Sequence, residues 1–277
     1  MKYLIGLAII FSSCTKSQPT DTPAPPRESR EINYNNISVS IILEKPAAAS
    51  ADVLLVFHGS VAYDSNLLKA ANTTLDQFKN ILDRKDMMII SVIYPQENVL
   101  LGDNIVVGEA ALLWLKNKAS QELGIQVKKI FLAGHSQGGY MVTKLNTMHA
   151  TNGVIANAPG PLNLVYRCGL EEAGTLQDGT YCTRLRNTYG TTASNPAAYF
   201  NRSLLNFTKG FKSDIIFFQG LNDSPIQMYS WPVFKQEVQN CTTCRQVQVV
   251  ELPGGEHPAL FEMPIARAPF NTFINSR

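Results

Sequence analysis

Ten residues, 130–139, constrain the fold of this chain more than any others: Ile130-Phe131-Leu132-Ala133-Gly134-His135-Ser136-Gln137-Gly138-Gly139. An apolar run that reads as a buried parallel strand meets a G-x-S-x-G pentapeptide. A helical segment follows, Tyr140-Met141-Val142-Thr143-Lys144-Leu145-Asn146. Strand, sharp turn and helix in that order are the context in which the pentapeptide means a nucleophile elbow. A serine held in a strained turn brings neighbouring backbone very close, so a Cβ two positions away would clash and both flanks must be glycine. The pentapeptide alone is a weak signal that chance can supply. Its surroundings have to carry the reading.

The surroundings alternate strands and helices. Residues 36–44 partly alternate and read as a strand at the sheet edge. Val53-Leu54-Leu55-Val56-Phe57 is a solid apolar run, typical of a strand buried on both faces, and it ends in His58-Gly59-Ser60. Residues 67–83 have helical spacing, 87–94 form the next buried strand, and 105–123 are amphipathic up to Gly124. Further strands are expected at 153–159, 214–220 and 245–252, with helices at 228–239 and 259–274. The last of these is broken by Pro264 and Pro269. This order predicts an α/β fold, a mostly parallel central sheet with helices on both faces. Active sites of such sheets lie outside the carboxyl ends of the strands, which selects the loops after Phe57, Gly134 and Gly220. The interval 160–212 is too long for a simple crossover and reads as a cap insertion, with a helix candidate at 195–207. A cap there shapes the substrate pocket.

A serine hydroxyl at neutral pH needs a base. The chain has four histidines. His58 follows a strand and shapes its loop, His135 lies inside the elbow and points away from the nucleophile, and His149 closes the helix after Ser136. That leaves His257, in the glycine-rich loop Pro253-Gly254-Gly255-Glu256-His257-Pro258 after the last strand. The acid that orients it is Asp223, in Gly220-Leu221-Asn222-Asp223-Ser224-Pro225-Ile226, ahead of the rivals Glu256 and Asp103. The chain order Ser136, Asp223, His257 is the order of α/β-hydrolase triads. An oxyanion hole needs two backbone N–H groups. Gln137, at a helix start, supplies one; the loop after Phe57 supplies the other, from Ser60 or alternatively Val61.

Over residues 53–273 these features resemble the α/β-hydrolase superfamily. Gly134-His135-Ser136-Gln137-Gly138-Gly139, the Asn222-Asp223-Ser224-Pro225-Ile226 loop and Pro253-Gly254-Gly255-Glu256-His257 are similar to its esterase and prolyl-oligopeptidase-like branch. That branch includes dienelactone-hydrolase-like and polyhydroxybutyrate-depolymerase-like enzymes. The resemblance implies a Ser-Asp-His hydrolase working through an acyl-enzyme on a small ester, with no cofactor and no metal. Two departures stand out. The extended glycine run of lipase oxyanion loops is absent, since Ser60-Val61 follows Gly59. The region before Val53 is also too short for the full set of leading strands or for a propeller domain.

The N-terminus adds an address. Met1-Lys2 precedes an apolar run of about nine residues, short for a bilayer span and suited to a signal peptide. Ser12-Ser13-Cys14 ends it and resembles a lipobox, with Phe11 where leucine is usual. The expectation is a lipoprotein signal peptide at 1–13, a lipid-carrying Cys14, a polar proline-bearing tether at 14–30, and a folded domain at 31–277. The alternative is an ordinary cleaved signal with an incidental cysteine; either way the chain is exported, and the lipid anchor would hold it at the bacterial cell envelope. Cys168, Cys182, Cys241 and Cys244 then read as disulfides, and local pairing is the simplest of three connectivities. A redox or zinc reading of Cys241-Thr242-Thr243-Cys244 suits its position less well than a loop staple. A net charge of +2 with 17% charged residues gives no reason to expect nucleic acid as a partner. The oligomeric state is unreadable. Beside the ester hydrolase stand a serine peptidase for short peptides and a non-catalytic surface-binding lipoprotein. Tyr63, Tyr140, Tyr166 and Trp231 are candidates to shape the pocket.

Overall fold

The structure is a computed structural model and describes residues 26–177 and 179–277. The expected signal peptide, Cys14 and most of the tether lie outside the described residues.

One sheet carries eight strands among the described residues: β1 (Arg27–Tyr34), β2 (Ile37–Glu44), β3 (Ser50–Phe57), β4 (Met88–Ile93), β5 (Gln126–His135), β6 (Gly153–Asn157), β7 (Ile215–Gly220) and β8 (Val247–Leu252). Their order is β1-β2-β4-β3-β5-β6-β7-β8. β2 runs antiparallel to both its neighbours and every other pair is parallel. In the centre, Leu55 of β3 stands level with Ile90 of β4 and Leu132 of β5.

Helices cover both faces because the central strands are apolar on both. Along β3, Val53, Leu55 and Phe57 enter one core cluster, while Leu54 and Val56 enter the other. This is the two-residue alternation of a strand with no polar side. The first cluster receives Trp114 and Leu115 of α2 (Ile105–Asn117), Met141 and Leu145 of α4 (Gln137–Met148), and Trp231 and Phe234 of α8 (Pro225–Gln239). The second receives Leu75 and Phe78 of α1 (Leu67–Ile81), Leu260 of α9 (Ala259–Glu262), and Phe270 and Phe273 of α10 (Arg267–Asn275). The expected helix at 105–123 is two: α2 ends at Asn117, and α3 (Ala119–Leu123) restarts beyond Lys118. Gly124 follows at φ +62°, the left-handed cap that glycine provides. The stretch 259–274 is broken at Pro264, as expected, but not at Pro269, which sits in the first turn of α10 where its missing N–H costs no helical bond.

Three expectations about the start of the chain are corrected. Residues 36–44 do not form the edge, because β1 lies outside β2 and pairs with it along its whole length. Residues 27–30, read as tether, are therefore strand. With β1 and β2 in place the leading strands are complete in the residues before Val53. A polar edge strand of this kind hides from pattern reading: in β1 only Ile32 is buried. Its charged residues are paired, Arg27 with Glu44 at 2.7 Å and with Asp76 of α1, which blunts the exposed edge.

Between β6 and β7 the cap consists of α5 (Leu164–Glu172), α6 (Thr180–Tyr189), α7 (Pro196–Phe200) and a single turn at Leu204–Asn206. The helix expected at 195–207 is thus a short helix and a separate turn. A small cluster of Leu164, Leu185 and Tyr199 packs there with Leu101 around Cys168 and Cys182. Cys168 bonds Cys182 and joins α5 to α6, and Cys241 bonds Cys244 in the turn between α8 and β8. Two disulfides fit an exported protein. Among the described residues no helix is long and apolar enough to cross a membrane.

Candidate active site

Ser136 sits at the junction of β5 and α4 with φ +56° and ψ −119°, a sparsely populated conformation for a residue with a side chain. Its N–H is held by Asn157 O at 2.9 Å, and its carbonyl accepts from Tyr140 N and Gly160 N, each at 3.1 Å. The two flanking glycines are required sterically. A Cβ on Gly134 would stand 2.1 Å from Gly138 O, and one on Gly138 would stand 1.9 Å from Phe57 O. The loop after β3 lies directly against the nucleophile position, since a Cβ on Gly59 would be 3.3 Å from Ser136 Cβ.

The loops that carry Asp223 and His257 are brought together by their backbones. Leu221 N donates to Leu252 O at 3.0 Å and Asn222 N to Gly255 O at 2.8 Å. Gly220 makes this approach possible, because a Cβ there would meet Glu256 O at 2.2 Å. His257 Nδ1 donates to Asp223 Oδ2 at 2.8 Å. The same oxygen accepts from Gln219 Nε2 at 2.9 Å, and Asp223 Oδ1 accepts from Ser224 N at 2.6 Å. Burial alone would raise the Asp223 carboxyl, but these donors and the His257 charge hold it below the ordinary carboxylate value.

Ser136, Asp223 and His257 line one cavity of about 440 Å³, together with Ser60, Gln137 and the cap residues Leu162 and Asn163. Among the described residues the N–H of Gln137 has no hydrogen-bond acceptor, as a first helical position leaves it. The alternatives for the other donor separate here. Val61 N is taken by Gln96 Oε1 at 2.9 Å, while Ser60 lines the cavity. Of the rival acids, Asp103 is paired with Arg202 at 2.7 Å, and Glu256 is exposed at the cavity.

The other histidines have occupations of their own. His58 is buried and stacked on Tyr94, ring centroids 4.1 Å apart. His149 Nε2 lies 2.6 Å from Glu109 Oε1. His135 packs its ring against His257 at 4.8 Å, so it walls His257 as well as the elbow. Its Nδ1 lies 2.9 Å from Asn157 Nδ2. Burial pushes His58 down to about 4. Burial, then the neighbouring His257, pushes His135 down to about 3.

These shifts give a pH prediction. Both histidines stay neutral in the fold at pH values where the unfolded chain, near 6.5, takes up protons. The unfolded state therefore binds more protons, and stability falls as pH drops from 6.5 toward 4, by about 1.4 kcal/mol per pH unit for each histidine. Asp223, lowered in the fold, loses its contribution in the same direction as pH falls through its folded value. Urea midpoints at pH 7, 6, 5 and 4.5 should decline steadily; a flat series contradicts the assignment.

Sequence reading missed the polar supports of the site. Gln219, wholly buried at the end of β7, also accepts through Oε1 from Gln227 Nε2 at 3.0 Å; that nitrogen donates again to Pro159 O at 2.9 Å. A glutamine closing the apolar run Ile215-Ile216-Phe217-Phe218 was the available signal, since a polar side chain in a buried strand needs partners. Tyr181 of α6 donates to Gln137 Oε1 at 2.9 Å and ties the cap to the elbow. None of the four expected pocket aromatics lines the cavity. Tyr63 is exposed, Tyr140 and Trp231 are core, and Tyr166 stacks on Tyr229 at 3.7 Å.

Solved structures with a similar fold are numerous, although no protein-family profile and no curated protein sequence matches the chain. Est1E from Butyrivibrio proteoclasticus aligns with 90% of this chain and 98% of its own, with a TM-score of 0.64 at 14% identity. A truncated carbohydrate esterase from gut microbiota aligns with 93% of this chain and 98% of its own, with a TM-score of 0.66 at 13% identity. An acylaminoacyl peptidase from Pyrococcus horikoshii aligns with 91% of this chain but 42% of its own, with a TM-score of 0.64 at 14% identity. The chain has the α/β-hydrolase fold, and its structural neighbours include esterases and a peptidase.

Proposed function

We propose that the protein is a serine hydrolase of carboxylic esters. Ser136 is the nucleophile, His257 the general base and then acid, and Asp223 the carboxylate that fixes the His257 tautomer. The N–H groups of Gln137 and Ser60 receive the developing oxyanion. Ser136 Oγ attacks the ester carbonyl as His257 takes its proton. The tetrahedral intermediate collapses, and His257 returns the proton to the departing alkoxide. Water then repeats the sequence on the acyl-enzyme. The observation that carries this reading is the His257–Asp223 hydrogen bond at 2.8 Å, in a cavity shared with a serine held at positive φ.

The esterases among the structural neighbours support the ester reading over the peptidase one. We also propose residues 31–277 as the hydrolase domain with its cap, extended at its start by 27–30. Residues 1–13 are proposed as a lipoprotein signal peptide, and Cys14 as the anchor that holds this domain at the cell envelope.

A fluorophosphonate probe should label the wild type and leave Ser136→Ala unlabelled. An unlabelled wild type removes the hydrolase reading. Turnover of p-nitrophenyl acetate beside aminoacyl p-nitroanilides then ranks ester against peptide, with the ester expected to be faster.

A further inference from the structure

A second cavity, of about 190 Å³, adjoins the first and shares Ser60, Arg167 and Tyr181 with it. Its remaining walls come from the loop after β3, from Gln96 and from the start of α6, where Gly179, Thr180 and Arg184 lie. Neither Ser136 nor His257 lines it. Among its described lining residues the charged ones are both arginines, Arg167 of α5 and Arg184 of α6.

Both guanidinium groups are held in place. Arg167 Nε donates to Glu171 Oε1 at 3.3 Å, and Glu171 is buried and further fixed by Gly179 N at 2.8 Å. A Cβ on Gly179 would stand 3.5 Å from Arg167 Nη2 and 3.1 Å from Glu171 Oε1, so the glycine keeps a side chain off this ion pair. Arg184 Nη1 donates to Gln96 O, and among the described residues its other nitrogens have no acceptor. Tyr181 lines both cavities and is bonded to Gln137 and, at 3.3 Å, to Gln96. Burial raises the Tyr181 hydroxyl and the charges of Arg167 and Arg184 oppose that rise, so both fields reach this one point. The disulfide Cys168–Cys182 joins the two helices that carry the arginines, one residue from Arg167 and two from Arg184.

We propose that this second cavity is an anion subsite that takes a carboxylate at the far end of the substrate's acyl chain, between Arg167 and Arg184. The proposal rests on the hydrolase reading for the direction of the chain. The leaving alkoxide must stand beside His257, which protonates it, and the carbonyl oxygen must face Gln137 and Ser60. The acyl chain takes the remaining direction, and Arg167, which lines the catalytic cavity as well as the second one, is the cation it can reach from Ser136. A planar guanidinium fork matches a carboxylate with two parallel hydrogen bonds, which a neutral acyl end cannot use. The substrate class is therefore a half-ester of a dicarboxylic acid, or an acyl group that carries a terminal carboxylate.

The test compares the mono-p-nitrophenyl esters of succinic, glutaric and adipic acid with neutral p-nitrophenyl esters of matched length, at low salt. The quantity read is the ratio of kcat/KM for the anionic ester over its neutral partner. The wild type should favour the anionic ester of at least one length by about tenfold or more, and the ratio should shrink as salt rises. Arg167→Gln and Arg184→Gln should each remove most of that preference, and Arg167→Lys should retain part of it. Neutral esters turned over with no anion preference, or a preference that survives both glutamine variants, would overturn the subsite and leave the hydrolase reading standing. Calorimetry with glutarate separates the remaining case. If no ester is turned over and the fluorophosphonate does not label, the hydrolase reading fails. Glutarate heat lost in Arg167→Gln then upholds the subsite, and absence of heat with the wild type overturns it.

Discussion

Ser136→Ala is expected to lower kcat for p-nitrophenyl acetate by about a million-fold, with the fold intact. The size follows from what is removed. The alanine keeps the Cβ that the elbow already accommodates beside Gly59, and it changes no backbone contact. The Asn157 O and Tyr140 N bonds to residue 136 are main-chain bonds and survive. Only Oγ goes, and with it the covalent route of the proposed mechanism. The His257–Asp223 bond at 2.8 Å then has no proton to relay. What remains is binding and the N–H groups of Gln137 and Ser60, which together give about 10³–10⁴-fold over water in such sites. His257→Ala should cost about as much as Ser136→Ala, and the double variant hardly more, because nucleophile and base act as one unit. The urea midpoint of Ser136→Ala should match the wild type. A folded Ser136→Ala protein that keeps more than about a hundredth of wild-type kcat places the nucleophile elsewhere.

Strands such as β3 and β7 are legible in sequence because their apolar runs have no other place to go than a sheet covered on both sides. The three loops at their carboxyl ends follow from topology, which is why Ser136, Asp223 and His257 could be named together. β1 could not be read, since an edge strand with Ile32 as its one buried residue has no periodic signal and exists through its pairing with β2. The cap helices were missed for a related reason. α5 and α6 are held by the Cys168–Cys182 bond and by contact with Leu101, and both are too short for a clear apolar stripe. The choice between Ser60 and Val61 turns on Gln96, which claims Val61 N from the far side of α1 and β4. Gln219 and Gln227 answer each other across a buried gap of side chains. Such decisions are made by partners distant in sequence, and composition or spacing does not register them.

Gly138→Ala should destabilise the protein by more than about 4 kcal/mol, among the largest effects a single methyl group can have. The new Cβ would lie 1.9 Å from Phe57 O, 2.5 Å from Phe57 C and 2.9 Å from His58 O. All three are backbone atoms at the end of the central strand β3. No side chain can rotate away to relieve the contact, so either α4 lifts off the sheet or the β3 carboxyl end is displaced. The first option breaks the packing of Met141 and Leu145, and the second moves Ser60 away from Ser136. Gly210→Ala provides the contrast, because Gly210 has φ +74° and nothing within 4 Å of a new Cβ. Its cost is the left-handed backbone alone, about 1–2 kcal/mol. Urea unfolding of the two variants should therefore separate them by several kcal/mol, with Gly138→Ala at or beyond the limit of folding. If Gly138→Ala folds with near-wild-type stability, the close approach of α4 to β3 is wrong. If it folds but no longer reacts with the fluorophosphonate, the strand end has yielded and the helix has held. Equal costs at the two positions would mean that α4 can yield to the new methyl cheaply, since Gly138 is helical and has no left-handed backbone to lose.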